Sequence, residues 1–380
     1  MTFDCALSAP ADRAGAILTI DLDAVVENWR RLSARLSPAP CAAVVKADGY
    51  GLGAAAVGRA LSEAGCTRFF VAQLDEALAL RAALPEPQIL CLGGLPARTE
   101  ATFVHHRITP VLNHLGEVDA WAAVCLVRIA ALDAAFNIDS RLNRLGLSPA
   151  EVDELSADPT RLAGIGLDLW MSHLACADEA DSPVSGEQLA RMTAAVARLP
   201  KAPVSFANSS GIFLGSSYHF DLGRPGVALY GVNPTPGKPN PMVPTIRLDA
   251  RVLQVRSVDS GMTVGYGAAH RMTRAGRIAT LGVGYADGYF RSLGARGHGF
   301  VDGVPAPVAG RISMDLITID VSGLPDGAVV PGQLVELIGP NRPVDTVAEE
   351  AGTIGYEILT SLGRRYHRVY AGGVAGKKAL

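Results

Sequence analysis

The sequence lacks any strong excess of charge of one sign. Its 34 lysines and arginines nearly balance its 37 aspartates and glutamates, which leaves a formal net charge of −3. No block of like charges interrupts that balance. We therefore expect neither nucleic acid nor an anionic membrane as a partner, because long-range attraction to either requires a basic surface.

A long apolar run and a leader segment are also missing. No uninterrupted apolar stretch approaches the ~20 residues that a membrane-spanning helix needs. Residues 1–16 include Asp4, Pro10, Asp12 and Arg13, so they do not form the positive segment and apolar core of a signal peptide. The expectation is a globular cytoplasmic protein with no membrane partner.

Paired cysteines are absent too. None of the six cysteines forms a CxxC pair, and several lie in apolar runs, which is typical of small buried side chains rather than disulfides or zinc ligands. No metal site is expected, and a reducing compartment is favoured. The cysteines all lie in the first half of the chain: Cys5, Cys41, Cys66, Cys91, Cys125 and Cys176.

What the sequence does contain is a regular alternation of short apolar runs and longer helical stretches. With 380 residues, 49% of them hydrophobic, the chain is long enough for two well-filled cores. Units of about 25–30 residues repeat from Ile17 to about residue 230, as expected for βαβ units and a parallel sheet. About eight units fit, which favours a TIM-like (β/α)8 barrel. An open doubly wound sheet is the alternative, but no GxGxxG motif follows the first strand to support it.

The pattern changes near residue 232. The proline-rich segment from Asn233 to Pro241 cannot form a regular helix or a central strand, so it is interpreted as a linker. Short alternating runs rich in Val, Ile and Thr follow it, with a short helical stretch between Val347 and Leu362. We therefore expect a barrel domain over residues 1–236 and a mostly β domain over residues 237–380.

Lys46 follows the apolar run from Ala42 to Val45. A lysine at the carboxyl end of a buried strand faces the mouth of a barrel, where the active sites of that fold lie. Partial desolvation lowers the pKa of a lysine there and makes it a usable nucleophile toward an aldehyde. Position alone is equally consistent with a structural lysine that ends the strand.

The motif around Lys46 and the motifs that follow it resemble the alanine racemase family. Each short match is weak by itself, but their common order across both expected domains is difficult to obtain by chance. The resemblance rests on these segments: Val44-Val45-Lys46-Ala47-Asp48-Gly49-Tyr50-Gly51, Arg141-Leu142-Asn143-Arg144-Leu145-Gly146, Ser172-His173-Leu174-Ala175, Ala207-Asn208-Ser209, Arg224-Pro225-Gly226-Val227, Val264-Gly265-Tyr266-Gly267, Gly284-Tyr285-Ala286-Asp287-Gly288, Arg311-Ile312-Ser313-Met314-Asp315 and Tyr356-Glu357.

The resemblance implies reversible racemisation of alanine with pyridoxal 5'-phosphate (PLP) as cofactor. It implies that Lys46 anchors PLP and serves as one of two bases, with Tyr266 of a partner subunit as the other, because a single base returns the proton to the face it left. The implied enzyme is a homodimer with shared active sites, and D-alanine is a peptidoglycan precursor. Arg224 is implied to face the pyridine nitrogen, where a guanidinium donates a hydrogen bond without giving up a proton.

The resemblance also implies roles for other residues. The network that lowers the pKa of Tyr266 is assigned to His173 and Arg224. Arg144 and the backbone of Met314 are assigned to the substrate carboxylate, and Tyr285, with Tyr356, to the entrance. The remaining cofactor-binding assignments are Tyr50, Asn208, Ser209, Gly226, Val227 and Tyr356.

Three positions depart from the family pattern. Many members carry a carbamylated lysine where this chain has Asn137, so a bound anion such as chloride, or a direct amide hydrogen bond, is expected to position Arg144 instead. Arg141 adds a positive charge beside that arginine, and Leu52 replaces a frequent histidine. These departures leave serine or another small amino acid as alternative substrates.

Two further alternatives belong to other functional classes. A decarboxylase of the same architecture carries a substrate-binding cysteine in its β domain, whereas no cysteine follows Cys176 here. A non-catalytic PLP carrier has the barrel alone, whereas this chain continues for about 140 residues beyond the linker and includes Tyr266. Both features favour the racemase.

Overall fold

The computed structural model describes residues 9–373 and contains both helices and strands throughout. Within that range the strands are β1 (Ala16–Asp21), β2 (Ala43–Val44), β3 (Arg68–Val71), β4 (Gln88–Cys91), β5 (Ile108–Leu112), β6 (Leu132–Asn137), β7 (Ile165–Met171), β8 (Val204–Ser205), β9 (Ile246–Val258), β10 (Thr263–Val264), β11 (His270–Arg271), β12 (Gly276–Leu281), β13 (His298–Val301), β14 (Val304–Pro307), β15 (Ile317–Asp320), β16 (Leu334–Ile338) and β17 (His367–Ala371). The helices are α1 (Pro10–Arg13), α2 (Leu22–Leu36), α3 (Lys46–Tyr50), α4 (Ala54–Glu63), α5 (Leu74–Ala83), α6 (Glu100–His105), α7 (Leu115–Arg128), α8 (Pro149–Ala157), α9 (Pro183–Val196), α10 (Val344–Ala351) and α11 (Gly355–Ser361).

Two compact units make up the described chain. One is the continuous segment Ala24–Val243, and the other combines residues 9–23 with residues 244–373. The proline-rich segment Asn233–Pro241 contains neither helix nor strand, as expected, because proline lacks the N–H that both need. None of the helices within residues 9–373 has the length and apolarity needed to cross a bilayer.

The first unit is the expected barrel. Strands β2 to β8 pair in parallel in chain order, and helices such as α4, α5, α7, α8 and α9 connect them. The middle residues of these strands are apolar without interruption, and Phe69, Phe70, Ile89 and Leu90 are fully buried. Strands covered on both faces have this composition, because neither face meets water. The fold class predicted from the sequence is confirmed.

An irregular segment occupies the eighth position of the barrel. On one side the N–H of Arg224 donates to Ala207 at 2.9 Å, and on the other Val44 and Ala42 donate to Pro225 and Gly223, each at 2.9 Å. These bonds join the strand-like segment around Arg224 to both β8 and β2. The barrel is therefore closed, with Arg224 between its last and first regular strands.

The first strand of the chain does not belong to the barrel. β1 pairs antiparallel with β9 and parallel with β17, in the sheet of the second unit. The sequence expectation, which placed the apolar run at Ile17 among the barrel units, is wrong at this strand. Its burial alternates along the chain, with Leu18 and Ile20 buried and their neighbours partly exposed, as in a sheet with one covered face.

The rest of the second unit is mostly β, as predicted. The long strand β9 pairs with β1, β12 and β16, and so organises the sheet. The helical stretch predicted between Val347 and Leu362 is a pair of short helices, α10 and α11. They are separated at Gly352, whose φ of 76° ends the first helix in the left-handed region.

Candidate active site

A cavity of about 200 Å³ opens at the carboxyl ends of the barrel strands. Each lining residue lies at or just beyond the end of a strand, which is where catalytic residues of this fold lie. The lining includes Lys46 after β2, Asn137 at the end of β6 and His173 after β7, together with Arg144. A larger cavity of about 700 Å³ contains Arg68, Lys201 and Asp221 at the opposite ends of the strands, and it contains none of the predicted site residues.

Lys46 begins an unusual left-handed turn. Ala47, Asp48 and Tyr50 have φ values of 53°, 53° and 54°, and Gly49 between them has a φ of 64°. Each non-glycine residue in this region costs roughly 1–2 kcal/mol relative to the right-handed region. Strain of this kind persists only where the surroundings impose it, and it is concentrated at functional sites.

The charge state of Lys46 follows from its surroundings. Burial lowers the pKa of the ammonium, the nearby cation of Arg144 lowers it further, and the carboxylate of Glu76 opposes both. A lowered pKa increases the fraction of free amine near neutral pH. Lys46 is thus suited to act as a nucleophile or a base.

His173 is uncharged near neutral pH. Burial lowers the pKa of its imidazole to about 3, and the cations of Arg224, Arg144 and Lys46 contribute to the decrease. The family resemblance assigns His173 to a hydrogen-bonded network around Tyr266. A neutral imidazole can contribute to such a network only through hydrogen bonding, not as a cation.

Arg224 is a buried cation whose observed partners are all neutral. Its side chain is 4% exposed and donates hydrogen bonds to the hydroxyl of Ser205 and, at 2.6 Å, to the carbonyl of Ser172. Burial lowers the pKa of the guanidinium to about 10, so it stays protonated at neutral pH. Within residues 9–373 it forms no ion pair with a carboxylate. A buried cation of this kind can offer donors to a ligand acceptor.

Ser209 marks a second group of polar atoms in the same unit. Its hydroxyl accepts the N–H groups of Gly226 at 2.9 Å and Ala228 at 3.2 Å. Gly226 precedes the short 3₁₀ helix Val227–Tyr230, and a Cβ at Gly226 would lie 2.2 Å from the hydroxyl oxygen of Tyr50. Glycine is required at this position because the tyrosine hydroxyl occupies the space.

Asn208 shapes the loop that carries Ser209. Its side-chain oxygen accepts the N–H of Gly211 at 2.9 Å, so it closes a turn. Hydroxyl and N–H donors near a helix start suit a phosphate, and a buried arginine suits a ring nitrogen. These donors match the chemistry of PLP, and the residues present fit that cofactor.

Arg144 lies on an exposed loop that three contacts shape. Asp139 accepts the N–H of Arg141 at 2.8 Å and the N–H of Asn143 at 3.1 Å, while Arg141 forms an ion pair with Glu187 of α9. The extra positive charge noted in the sequence is therefore balanced locally. The sequence analysis did not identify Glu187, since a lone glutamate on a helix carries no signal of its partner.

Asn137 does not bond to Arg144 in the structure. Its amide donates to the side-chain oxygen of Asn113 at 3.0 Å, and the Asn113 amide donates to the carbonyl of Val111 at 2.9 Å. The direct amide bond expected between Asn137 and Arg144 is not observed, and the bound anion stays a prediction. Asn113 was missed because nothing in the sequence connects it with Asn137.

The remaining predicted residues lie in the second unit, and two of them are neighbours. The N–H of Ala286, beside Tyr285, donates to the carbonyl of Met314 at 3.0 Å, and the N–H of Tyr285 donates to Ser313 at 3.0 Å. Both side chains are exposed. Tyr356 is the second residue of α11, and its side chain is also exposed.

Tyr266 is 73% exposed on a tight turn of the second unit. Gly265 and Gly267 flank it with φ values of 76° and 70°, and a Cβ at Gly267 would approach the Arg311 side chain to 3.0 Å. The glycines therefore permit a turn that projects the tyrosine. The ring and hydroxyl of Tyr266 are therefore largely accessible on the surface of the second unit.

Comparisons with known proteins identify the two units. The family model "Alanine racemase, N-terminal domain" matches residues 20–234, and "Alanine racemase, C-terminal domain" matches residues 245–370. An alanine racemase of Rhodospirillum rubrum is 49% identical over 363 residues, 95% of this chain and 97% of the relative. A protein of Mesorhizobium japonicum named as a catabolic alanine racemase is 50% identical over 361 residues, 95% of this chain and 94% of the relative.

Solved structures agree with these relatives. The alanine racemase of Bartonella henselae with covalently bound pyridoxal phosphate superposes with a TM-score of 0.91 at 42% identity, covering 94% of this chain and 100% of that one. The biosynthetic alanine racemase of Pseudomonas aeruginosa gives a TM-score of 0.87 at 35% identity, with coverage of 94% and 100%. These likenesses confirm the predictions of an alanine racemising enzyme and of PLP as its cofactor, and the chain belongs to the alanine racemase family.

Proposed function

We propose that this chain interconverts L-alanine and D-alanine with Lys46 and Tyr266 as the proton-transfer groups on opposite faces of the substrate. The observation that supports this most directly is a half-buried lysine of lowered pKa that shares a cavity with Arg144 and His173. PLP, when bound, supplies the electron sink that stabilises the charge left at Cα after proton removal.

Lys46 acts first as the residue that binds the cofactor and then as a base. Its lowered pKa gives a free amine that can accept the proton from Cα on one face. Inversion requires a proton from the other face, and Tyr266 supplies it. The reverse reaction exchanges the two roles, because each group ends the reaction in the protonation state in which the other began.

Arg224 restrains the reaction. With a pKa of about 10 its guanidinium donates a hydrogen bond at neutral pH without transferring a proton. With PLP bound, a ring nitrogen that accepts this hydrogen bond would stay unprotonated and would withdraw less electron density from the substrate, so side reactions would be limited. The neutral bonds to Ser205 and Ser172 hold the guanidinium in place.

The remaining polar groups bind and orient the substrate and the cofactor. Arg144 and the backbone of Met314 hold the substrate carboxylate, and Tyr285 narrows the entrance. His173 and Asn208 support the cofactor site, the first as a neutral ring and the second by closing the turn beside Ser209. With PLP bound, its phosphate would be held by Tyr50, Ser209, Tyr356 and the N–H groups of Gly226 and Val227, the first of which donates to the Ser209 hydroxyl in the structure.

The active enzyme is a homodimer in which Tyr266 and Met314 act on the site of the partner subunit. The exposure of Tyr266 and Met314 in the isolated chain supports this arrangement. Mixing Lys46→Ala and Tyr266→Phe variants under conditions of subunit exchange tests it. Shared sites regenerate one intact site in each mixed dimer, or about a quarter of the original activity. A mixture as inactive as its components contradicts sharing.

Substrate choice is tested with a panel of single-enantiomer amino acids and chiral chromatography. We expect the fastest inversion with alanine and slower inversion with serine, because Tyr285 and Tyr356 restrict the entrance. No D-alanine from pure L-alanine after hours of incubation contradicts the proposal. Release of carbon dioxide from lysine, ornithine or arginine favours the decarboxylase instead.

The cytoplasm is the proposed location. The described cysteines Cys41, Cys66, Cys91, Cys125 and Cys176 are free. Unpaired thiols in this number are typical of reducing compartments. Fractionation of the source cells, followed by antibody detection, tests the assignment, and recovery outside the cytoplasmic fraction contradicts it.

A further inference from the structure

Three glutamates repeat the same contact around the mouth of the barrel. Glu76, Glu117 and Glu151 are each the third residue of their helix, in α5, α7 and α8. One carboxylate oxygen of each accepts an N–H group at the start of its own helix, from Ala72 at 2.8 Å, Asn113 at 2.7 Å and Ser148 at 2.9 Å respectively. We call these residues the N3 glutamates.

The second oxygen of each N3 glutamate extends to an earlier part of the barrel. Glu76 accepts the N–H of Ala47 at 2.7 Å, Glu117 that of Leu95 at 3.0 Å, and Glu151 that of Leu115 at 3.0 Å. The bond within the helix is an ordinary cap. The bond of the second oxygen joins each helix to an earlier loop at the mouth of the barrel. Of the three, only the bond of Glu76 reaches the residue after Lys46.

The left-handed turn after Lys46 depends on such bonds. Three of its residues are not glycine, so the turn is costly by itself. Glu76 binds its first N–H group, at Ala47, and the side chain of Asp48 accepts the N–H of Ala54 at 2.9 Å beyond its end. Hydrogen bonds to a charged acceptor are stronger than those between neutral groups, so these bonds help to offset the strain of the turn.

We propose that Glu76 is a positioning residue for Lys46, which holds the backbone of the turn so that the lysine amine faces the cavity. The inference depends on the proposed role of Lys46 as the cofactor anchor. Glu76 itself does not line the cavity. It acts through the backbone of Ala47 and through its charge.

The charge of Glu76 adds a measurable consequence. Burial and the cation of Arg144 lower the pKa of the Lys46 ammonium, and the carboxylate of Glu76 raises it. His173, as a neutral ring, and Asp139 line the same cavity. Replacing Glu76 with a neutral residue removes the carboxylate that raises the pKa of Lys46. The pKa of Lys46 is then expected to decrease further.

The experiment measures how fast Lys46 reacts with added PLP as a function of pH. The full-length chain is freed of cofactor with hydroxylamine, incubated with PLP between pH 6 and 10, and reduced with borohydride at timed intervals. Mass spectrometry of the Lys46 peptide gives the rate, with Lys201 and Lys238 as internal references. The variants are Glu76→Gln, Glu76→Asp and the matched control Glu151→Gln, which removes an equivalent contact away from Lys46.

For Glu76→Gln we expect the midpoint of the pH profile to shift downward by about 0.5–1 pH unit. The plateau rate should fall roughly tenfold because the amine is no longer oriented. Glu151→Gln should keep both the midpoint and the plateau of the unaltered chain. Glu76→Asp keeps the charge but shortens the side chain, so its plateau should fall while its midpoint shifts by less than half as much.

An unchanged midpoint and plateau in Glu76→Gln, or equal changes in Glu151→Gln, overturn the proposal. If Glu76→Gln is not recovered as folded protein, an unaltered plateau in Glu76→Asp overturns it as well. A failure of the cofactor assignment gives a different result. In that case the unaltered chain itself forms no PLP adduct on Lys46.

Discussion

Asn137 donates a hydrogen bond of 3.0 Å to Asn113, and this amide pair joins the ends of two neighbouring barrel strands. Here the donor of Asn137 is directed to Asn113 rather than to Arg144. The geometry of the loop that carries Arg144 depends instead on Asp139 and the Arg141–Glu187 ion pair.

The first prediction concerns this amide pair. Asn137→Ala and Asn113→Ala should each lower stability, because each leaves a polar partner without its hydrogen bond. The double variant should lose about 1 kcal/mol less than the sum of the single losses. Urea unfolding at one fixed protein concentration measures the coupling. Strictly additive losses contradict an energetic link between the two residues.

The second prediction concerns Tyr266. Tyr266→Phe removes the hydroxyl, so turnover should fall about 10²–10⁴-fold, most in the direction where this residue is the base. Binding of PLP should be retained, since Lys46 remains, and visible absorbance measures that. Chiral chromatography from each enantiomer gives the rates. Equal activity of variant and unaltered enzyme assigns the second face to another group.

The third prediction concerns Arg224. Arg224→Glu replaces a donor that holds its proton with a group that favours a proton on the ring nitrogen, so the electron sink becomes stronger. Racemisation should fall, and the fraction of turnovers that convert alanine to pyruvate and PLP to pyridoxamine phosphate should rise. Liquid chromatography of the cofactor measures that fraction. Arg224→Lys, which keeps a cation, is the control and should show the smaller increase.

The fourth prediction concerns pH and His173. Its pKa is about 3 in the folded chain against an ordinary value of 6.5, so the unfolded chain binds the proton more readily. The stability that depends on the neutral ring is complete above about pH 6.5 and is lost as the pH falls toward 3. Between pH 6.5 and 5 the loss is up to about 2 kcal/mol.

A comparison of unfolding at these two pH values measures that loss. His173→Asn should become less sensitive to the change than the unaltered chain. The control is His105→Asn, which removes an exposed histidine and should leave the sensitivity unaltered. A variant at position 173 with the same sensitivity as the unaltered chain argues against a neutral buried imidazole.

Much of the fold could be predicted because it follows from local patterns. The predicted alternation of apolar runs and helical stretches forms β2 to β8 with their connecting helices, and the helical stretch predicted between Val347 and Leu362 forms α10 and α11. The placement of β1 could not be predicted in the same way. An apolar run such as Ile17 to Ile20 suits either sheet, and its pairing with β9 and β17 depends on residues far along the chain.

The candidate site shows the same division. Motif order identified Lys46, Arg144, His173 and Arg224, and the barrel brings the first three to one cavity. The contacts that hold these side chains could not be predicted from the spacing of the sequence motifs. Glu76 had only the general signal of an acidic residue in the first turn of a helix, and its bond to Ala47 crosses from one loop to another.

The position of β1 determines an order of events during synthesis. The ribosome releases this strand before its neighbours, because β9 and β17 are made only after the whole barrel segment Ala24–Val243. At about 5–20 residues per second, the apolar side chains of Leu18 and Ile20 wait roughly ten to forty-five seconds for β9 and up to about seventy seconds for β17. A nascent chain that stalls after the barrel therefore carries β1 as an unpaired apolar strand ahead of the barrel. Such a strand binds chaperones and can start aggregation.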